Sequence, residues 1–364
     1  MQRHRDAKKR IMQMTNFIKN YFSNFFIKLS FFKKGFTIIA KQFSILCLFI
    51  AIAFLHDTAF GANTIKIKIE EHEDLPLDFL RPGQSVGKVD GLFMLNEKPF
   101  YGRLVITEGE DGPVAIVEIL LETYVKGVVA SEMGETWPLE ALKAQAVISR
   151  TFAFHKKMTS KDKPYQLIAS TYHQVYALKT PGPAIHSAVT ETEGQILTFK
   201  GNPIVVFYHS TTGGMTELPE EVWQNKYPYY SKSIVCEDTI SPHFAWIREF
   251  SLDDVASALD LPSVKEIILH SHTATGRIKA VKVLAGGKSH IVLAKELRQK
   301  LGFKELPSTS FTVQRQGYQL IFEGHGYGHG VGLSQYGTRQ MAEEGKTYKE
   351  ILSYFYPGTK LEKK

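Results

Sequence analysis

The sequence predicts an α+β fold: one catalytic-size domain of short, mostly antiparallel strands around a helical pair, preceded by a signal or anchor segment. Three observations lead there. Apolar alternation of period two recurs in short runs through both halves of the chain. Helix-period stripes are confined to a few places, and strands and helices come in runs instead of strict alternation, which disfavours a doubly wound sheet. The 43% hydrophobic content can fill a core, and with 22% charged residues and no low-complexity tract the 364-residue chain is not a disordered one.

The elements follow in order. Residues 1–62 form a basic leader in which Lys41 is followed by the uncharged run Phe43 to Leu55 and then by Ala59-Phe60-Gly61. A basic stretch, a short apolar core and small residues are the pattern of an export signal. Thirteen apolar residues fall short of the roughly 20 needed to span a bilayer, so cleavage and an N-terminal membrane anchor are both open. The flanking positive charge places the chain beyond the leader outside the cytoplasmic membrane. The formal charge of +7 belongs to this leader: it holds 10 Lys/Arg and 2 Asp/Glu, leaving 34 basic against 35 acidic residues in 63–364. A nucleic-acid partner therefore loses its support. Cys47 lies in the leader, so Cys236 has no partner for an intramolecular disulfide in the exported part.

Residues 63–117 read as a β-rich segment and linker: Ile65-Lys66-Ile67-Lys68-Ile69 alternates, 70–90 is an acidic loop, and strands are expected at Arg103–Thr107 and Pro113–Leu120. A domain over 118–357 follows. Leu121, Tyr124, Val125, Val128 and Glu132 share one helical face, and Pro138 suits the first turn of a second helix running from Leu139 to about Lys157. Further strands are expected at Gln195–Phe199, Pro203–Tyr208, Val264–His270, Arg277–Leu284, Ser289–Leu293 and Tyr318–Phe322. Helices are expected at Ala294–Leu301, Ser334–Glu344 and Tyr348–Tyr356.

Three places could carry chemistry. Glu132 continues an apolar stripe, where burial should raise a carboxyl's pKa and keep it protonated for acid catalysis; a capping or ion-paired glutamate is the plain alternative. Gly324-His325-Gly326-Tyr327-Gly328-His329-Gly330-Val331-Gly332 cannot be a stable helix, and its glycines would let backbone approach a ligand, with Ser334 capping the next helix and Gln335 in its first turn. Zinc through His325 and His329 is the minority reading, so no cofactor is expected. Tyr208-His209-Ser210-Thr211-Thr212-Gly213-Gly214 ends a strand with groups suited to a polar substrate such as a sugar; adjacent strand residues point to opposite faces, so His209 is badly placed to activate Ser210.

Together these segments resemble the stage II sporulation protein D family, which also contains amidase-enhancer proteins. The likeness rests on Ser131-Glu132-Met133 through Trp137-Pro138 and Glu140–Ala146 to Arg150-Thr151, and on His173-Gln174-Val175-Tyr176. Tyr208-His209-Ser210 with Gly213-Gly214 and Val222-Trp223 adds to it, as does Gly328 through Gly337. The resemblance implies a lytic transglycosylase that cuts peptidoglycan glycan strands, stripped of stem peptides, to 1,6-anhydro-MurNAc ends, with Glu132 as the catalytic residue. It implies a role in wall remodelling during division or sporulation and a cell-wall amidase as partner. The alternative is a non-catalytic enhancer that binds glycan or the amidase. Substrate contacts are expected from Arg150, Tyr208, His209, Ser210, Gly213, Gly214, His329, Ser334 and Gln335. Arg150 is assigned to a sugar carboxylate because an ion pair with Glu132 would harm an acid. Some relatives carry a cysteine near the Gln-Val-Tyr motif and bind zinc there; this chain has His173 instead.

Overall fold

The computed structural model describes residues 64–68, 87–95, 98–109, 112–160, 164–168 and 181–364. The leader, residues 70–86 of the acidic loop and the His173–Tyr176 motif lie outside the described residues, whereas residues 87–90, read as loop, are strand. The alternating run becomes β1 (Thr64–Lys68), with Ile65 and Ile67 fully buried between half-exposed Lys66 and Lys68. It pairs antiparallel with β4 (Gly112–Leu120), which pairs with β3 (Lys98–Gly109) and through it with β2 (Gly87–Leu95). On its other edge β1 runs parallel to β5 (Leu167–Ile168).

Chain direction changes without a loop at Leu120, whose extended backbone leads straight into α1 (Leu121–Glu132). The predicted stripe is the buried one: Tyr124, Val125 and Val128 pack with Ile65, Ile67, Leu104 and Ile106 of the sheet. The helix stops at Glu132 because Met133 is extended and its N–H closes the last turn on the Val129 carbonyl. A turn closed by Trp137 N–H on the Gly134 carbonyl leads to α2 (Leu139–Thr159), whose first bonds reach back to the Pro138 carbonyl. The α2 helix is the axis of the fold. One face joins the first core through Leu142, Ala146 and Ala153. The other, Ala144, Val147 and Ile148, joins the core shared with Leu197 of β6 (Gln195–Phe199) and the C-terminal helices. Between them α3 (Pro183–Glu191) packs on both α1 and α2. The strand β6 is flanked by β7 (Asn202–Pro203) and by β18 (Lys360–Lys363), which ties the C-terminal end to the centre.

The expected strand over Pro203–Tyr208 needs correction. Only its ends pair, as β7 and as β8 (Tyr208–His209). Between them, Ile204 N–H still reaches the Leu197 carbonyl, but Val205 N–H donates to the Tyr229 hydroxyl at 2.9 Å and Phe207 N–H to the Tyr230 hydroxyl at 3.0 Å. The Phe207 carbonyl accepts from the Tyr356 hydroxyl at 2.8 Å. A buried backbone must be bonded, but periodicity does not say by what.

Downstream come β9 (Gly214–Met215), α4 (Pro219–Trp223) and β10 (Val235–Cys236), then a second region of two three-stranded sheets. One holds β11 (Ala245–Ser251), β15 (Phe311–Gln316) and β16 (Gln319–His325); β11 and β15 are not in the sequence reading. The other holds β12 (Val264–His272), β13 (Ile278–Ala285) and β14 (Lys288–Leu293). Gly286 and Gly287 link the last two with φ of +55° and +74°, the left-handed pair that a two-residue hairpin demands. The sheets share a core of Trp246, Phe250, Val281, Val283, Leu320 and Phe322, flanked by α5 (Leu252–Leu259) and α6 (Ala294–Leu301). The two-residue β17 (Leu333–Ser334) then opens α7 (Gln335–Glu343), and α8 (Tyr348–Phe355) starts on a capping box of Thr347 and Glu350.

Arg150 on α2 is 1% exposed and bonds both oxygens of Glu122, each at 2.7 Å, and the Gln195 carbonyl at 3.0 Å. It thus locks α1, α2 and β6 together. Arg150→Ala should lower stability by at least about 2 kcal/mol, the low side of the cost of breaking a buried pair, since Glu122 keeps some exposure. A urea midpoint within experimental error of the wild type would contradict this structural role.

Candidate active site

The α1 helix delivers Glu132 to a cleft of 1130 Å³ that is also lined by Tyr208, Trp223, Lys295 and Phe303. Both carboxylate oxygens accept hydrogen bonds. The Tyr208 hydroxyl donates to Oε1 at 2.9 Å and the Gln335 amide to Oε2 at 3.3 Å. Their convergence comes from a short parallel pairing, Leu333 with Tyr208 and Ser334 with His209, which sets the first residue of α7 beside β8. The turn after Glu132 is fastened to the same helix, with Trp137 packed on Tyr336 at 5.1 Å and Arg339 over the Trp137 ring at 5.5 Å.

Beneath this pairing sits Asp238, fully buried. Its carboxylate accepts from the Thr212 N–H, the Thr212 hydroxyl at 2.8 Å, the Gly213 N–H at 3.2 Å and the Ser334 hydroxyl at 2.8 Å. The Ser334 oxygen in turn accepts from Gly337 N–H at 3.1 Å, capping α7 as the sequence predicts. Arg277, also buried, donates to the Thr212 carbonyl at 2.6 Å. No spacing or periodicity marks Asp238 or Arg277, and the sequence reading missed both.

The glycine-rich segment packs closely on protein at Gly326 and Gly332. A Cβ on Gly326 (φ +79°) would stand 2.7 Å from the Thr212 carbonyl oxygen, and one on Gly332 (φ +75°) would overlap the Phe207 carbonyl. These glycines let the segment lie against residues 207–212, while Tyr327, Gly328 and His329 of the same segment line the cleft.

The histidines divide. His329 lines the cleft, its ring 4.9 Å from Trp223 and its Nδ1 accepting from the Val331 N–H at 3.0 Å. Burial first, then the nearby Arg298 and Arg277 charges, pull its pKa down to about 3. Burial likewise pushes His209 well below its ordinary value, helped by His329 and Arg277; its Nδ1 lies 3.1 Å from the Val331 carbonyl. Both rings are neutral at physiological pH. His325 ends β16 with its ring against Phe244, away from the cleft lining. Among the described residues no three His, Cys, Asp or Glu side chains cluster as metal ligands would.

Of the expected substrate contacts, Tyr208, His209, Ser210, His329 and Gln335 line the cleft with Glu132, while Gly213, Gly214 and Ser334 do not. Gly213 and Ser334 serve Asp238 instead, and Gly214 pairs with Cys236. Arg150 is a correction: it neither lines the cleft nor meets Glu132, because α2 turns it inward onto Glu122. Trp223, Lys156, Lys295 and Phe303 line the cleft without being among the contacts the sequence predicts. The lone Cys236 is buried, its thiol pushed up to about 12 by desolvation and by Asp238, so it is unreactive near neutral pH.

Residues 110–199, which include Glu132, match a family model described as stage II sporulation protein, and residues 222–332 match one described as a domain of unknown function, DUF8618. The chain is 34% identical over 270 residues to the stage II sporulation protein D of Bacillus subtilis (strain 168), covering 68% of this chain and 76% of that one. An uncharacterized protein of Brachyspira hyodysenteriae is 32% identical over 275 residues, 73% of each chain. The amidase enhancer of Bacillus subtilis is 31% identical over 290 residues, but the match spans 40% of that longer protein.

The neutral histidines imply a pH effect on stability. Unfolded, His329 takes a proton at its ordinary 6.5; folded, it does so only near 3. Protons therefore favour the unfolded chain, and this contribution to stability is intact above 6.5 and declines as the pH falls toward 3. His329→Gln should flatten the decline in urea midpoint between about pH 7 and about pH 5. An unchanged pH dependence would mean that the ring is not held neutral.

Proposed function

The chain belongs to the stage II sporulation protein D family, and on that footing we propose that it is a peptidoglycan lytic transglycosylase with Glu132 as its acid and base. The observation that carries this reading is Glu132 in a long cleft, gripped through one oxygen by a phenol and through the other by an amide. Both partners are neutral and adaptable. A tyrosine hydroxyl donates to a carboxylate and accepts from a carboxylic acid, and an amide can present either its nitrogen or its oxygen. The pair can hold Glu132 in both protonation states.

The steps follow from that property. Protonated Glu132 gives its proton to the glycosidic oxygen as the bond to the anomeric carbon breaks. The C6 hydroxyl of the same muramyl sugar closes on that carbon, and the Glu132 carboxylate takes the hydroxyl proton. The product carries a 1,6-anhydro end, Glu132 is protonated again, and water is not consumed. Ordinary glycosidases use two carboxyls, whereas here the substrate supplies the nucleophile. Of the other four cleft carboxylates, two are engaged elsewhere: Glu217 accepts from Thr273 and Thr275, both at 2.6 Å, and Glu221 pairs with Lys279 at 2.8 Å.

On this reading the substrate is the glycan strand, denuded of stem peptides, outside the cytoplasmic membrane. The leader 1–62 then acts as signal or anchor, and a wall amidase acts beforehand on the same strand. A reporter fused after residue 70 should be active only outside the cytoplasm; activity inside would remove the substrate from reach. The likeness to the amidase enhancer favours a second reading, in which the cleft binds glycan without cutting it.

Glu132→Gln separates the two. It should leave melting temperature and glycan binding intact and reduce release of anhydro-muropeptides by at least about 10²–10⁴-fold, as loss of general acid–base catalysis does. Tyr208→Phe should lower the rate with little change in KM. Wild-type release by Glu132→Gln, measured by mass spectrometry of the digest, would reject the assignment.

A further inference from the structure

The cleft has more to it than a site for one bond. At 1130 Å³ it exceeds what a single small ligand needs. Two large aromatic side chains on its lining are left partly open: Trp223 is 37% exposed and Phe303 46%. Each is backed from within. The Phe207 ring stacks on Trp223 at 4.5 Å and 21°, and the neutral His329 meets it edge-on at 68°. Phe207 is itself wedged by Tyr227 and Tyr230, and its neighbour Tyr208 reaches Glu132. Phe303 rests on the Arg298 guanidinium at 4.7 Å, and Arg298 is anchored by a 2.9 Å bond to the Leu306 carbonyl. An aromatic ring fixed on one side and open on the other is a preorganised flat surface whose apolar area would be covered by a matching flat, weakly polar ligand.

From this we infer that Trp223 and Phe303 are stacking platforms for two different sugar rings of one linear glycan. Trp223 takes the ring nearer Glu132, because Phe207 and Tyr208 are consecutive in the chain. Phe303, which follows α6 and is backed by Arg298 where Trp223 is backed by Phe207, takes a ring farther along. The apolar C–H face of an N-acetylhexosamine and the acetyl methyl group suit such surfaces, while the polar groups of the cleft meet the ring edges. The cleft then measures chain length: short oligomers reach only the Trp223 platform and longer ones reach both. This rests on the glycan reading above.

The test uses the full chain carrying Glu132→Gln, so that ligand is not consumed, with denuded glycan oligomers of two lengths, disaccharide and octasaccharide, and calorimetric affinities. Adding Trp223→Ala should weaken binding of both lengths by about tenfold or more, while Trp223→Phe, which keeps an aromatic ring on Phe207, should retain most of it. Adding Phe303→Ala should weaken the octasaccharide by a similar factor and leave the disaccharide unchanged. Binding should also shift the tryptophan fluorescence of the Glu132→Gln protein, and Trp223→Phe should abolish that shift. If Glu132→Gln binds both oligomers and the added substitutions change neither affinity nor length dependence, the platforms are wrong and the glycan reading stands. If Phe303→Ala weakens both lengths equally, the assignment of a distant ring is wrong. If the Glu132→Gln protein binds no glycan at either length, the function reading falls and this inference with it.

Discussion

One buried carboxylate organises the site. Asp238 has no contact with solvent, and such a charge is tolerable only when it is fully hydrogen-bonded. It meets that demand by gathering donors from two distant stretches, Thr212 and Gly213 on one side and Ser334 on the other. The same bonds fix the loop after β8 against the start of α7. The two-residue pairing of β8 with β17 is far too short to stand alone, yet it decides that Tyr208 and Gln335 meet on Glu132. The contacts on Glu132 are therefore consequences of a constraint beneath them. Arg277, attracted by Asp238 and Glu217, adds a buried positive charge, and with Arg298 it helps keep His329 uncharged. Neutral histidine, stacked aromatics and neutral donors to Glu132 form one environment, with Lys156, Lys279 and Lys295 also on the cleft lining.

Much of the scaffold is legible in the sequence because local patterns decide it. The i, i+3, i+4 stripe of α1, Pro138 ahead of α2, the Ile-Lys alternation of β1 and the paired glycines at 286–287 each have a local physical cause, and each appears as expected. The segment from Pro203 to Tyr208 fails for the opposite reason. Its apolar residues do pack in a core, but several of its backbone groups bond the hydroxyls of Tyr229, Tyr230 and Tyr356, which no periodicity reveals. The strands β11 and β15 are held in a sheet by β16 between them, a long-range arrangement that short windows do not show.

The site is legible in part. Glu132, Tyr208, His209, Ser210, His329 and Gln335 stand out in the sequence and do share a cleft. Arg150 is misplaced by sequence reasoning because helix spacing gives a side chain's direction but not its partner: Glu122, on the facing turn of α1, takes it. Asp238 escapes notice because an aspartate in the loop after β10 carries no signature until Thr212 and Ser334 are brought to it. Trp223 belongs to a sequence motif but is not marked there as a contact, since only the structure shows Phe207 behind it and the cleft before it.

The central claim is that one carboxyl and the substrate's own hydroxyl suffice to cut the strand. Digestion of denuded glycan in water enriched in the heavy oxygen isotope, followed by mass spectrometry of the new ends, tests it most directly. The account predicts 1,6-anhydro ends that carry no heavy oxygen, because no water enters the product. Reducing ends labelled with heavy oxygen would show hydrolysis and contradict it, as would glycan that is bound but recovered uncut.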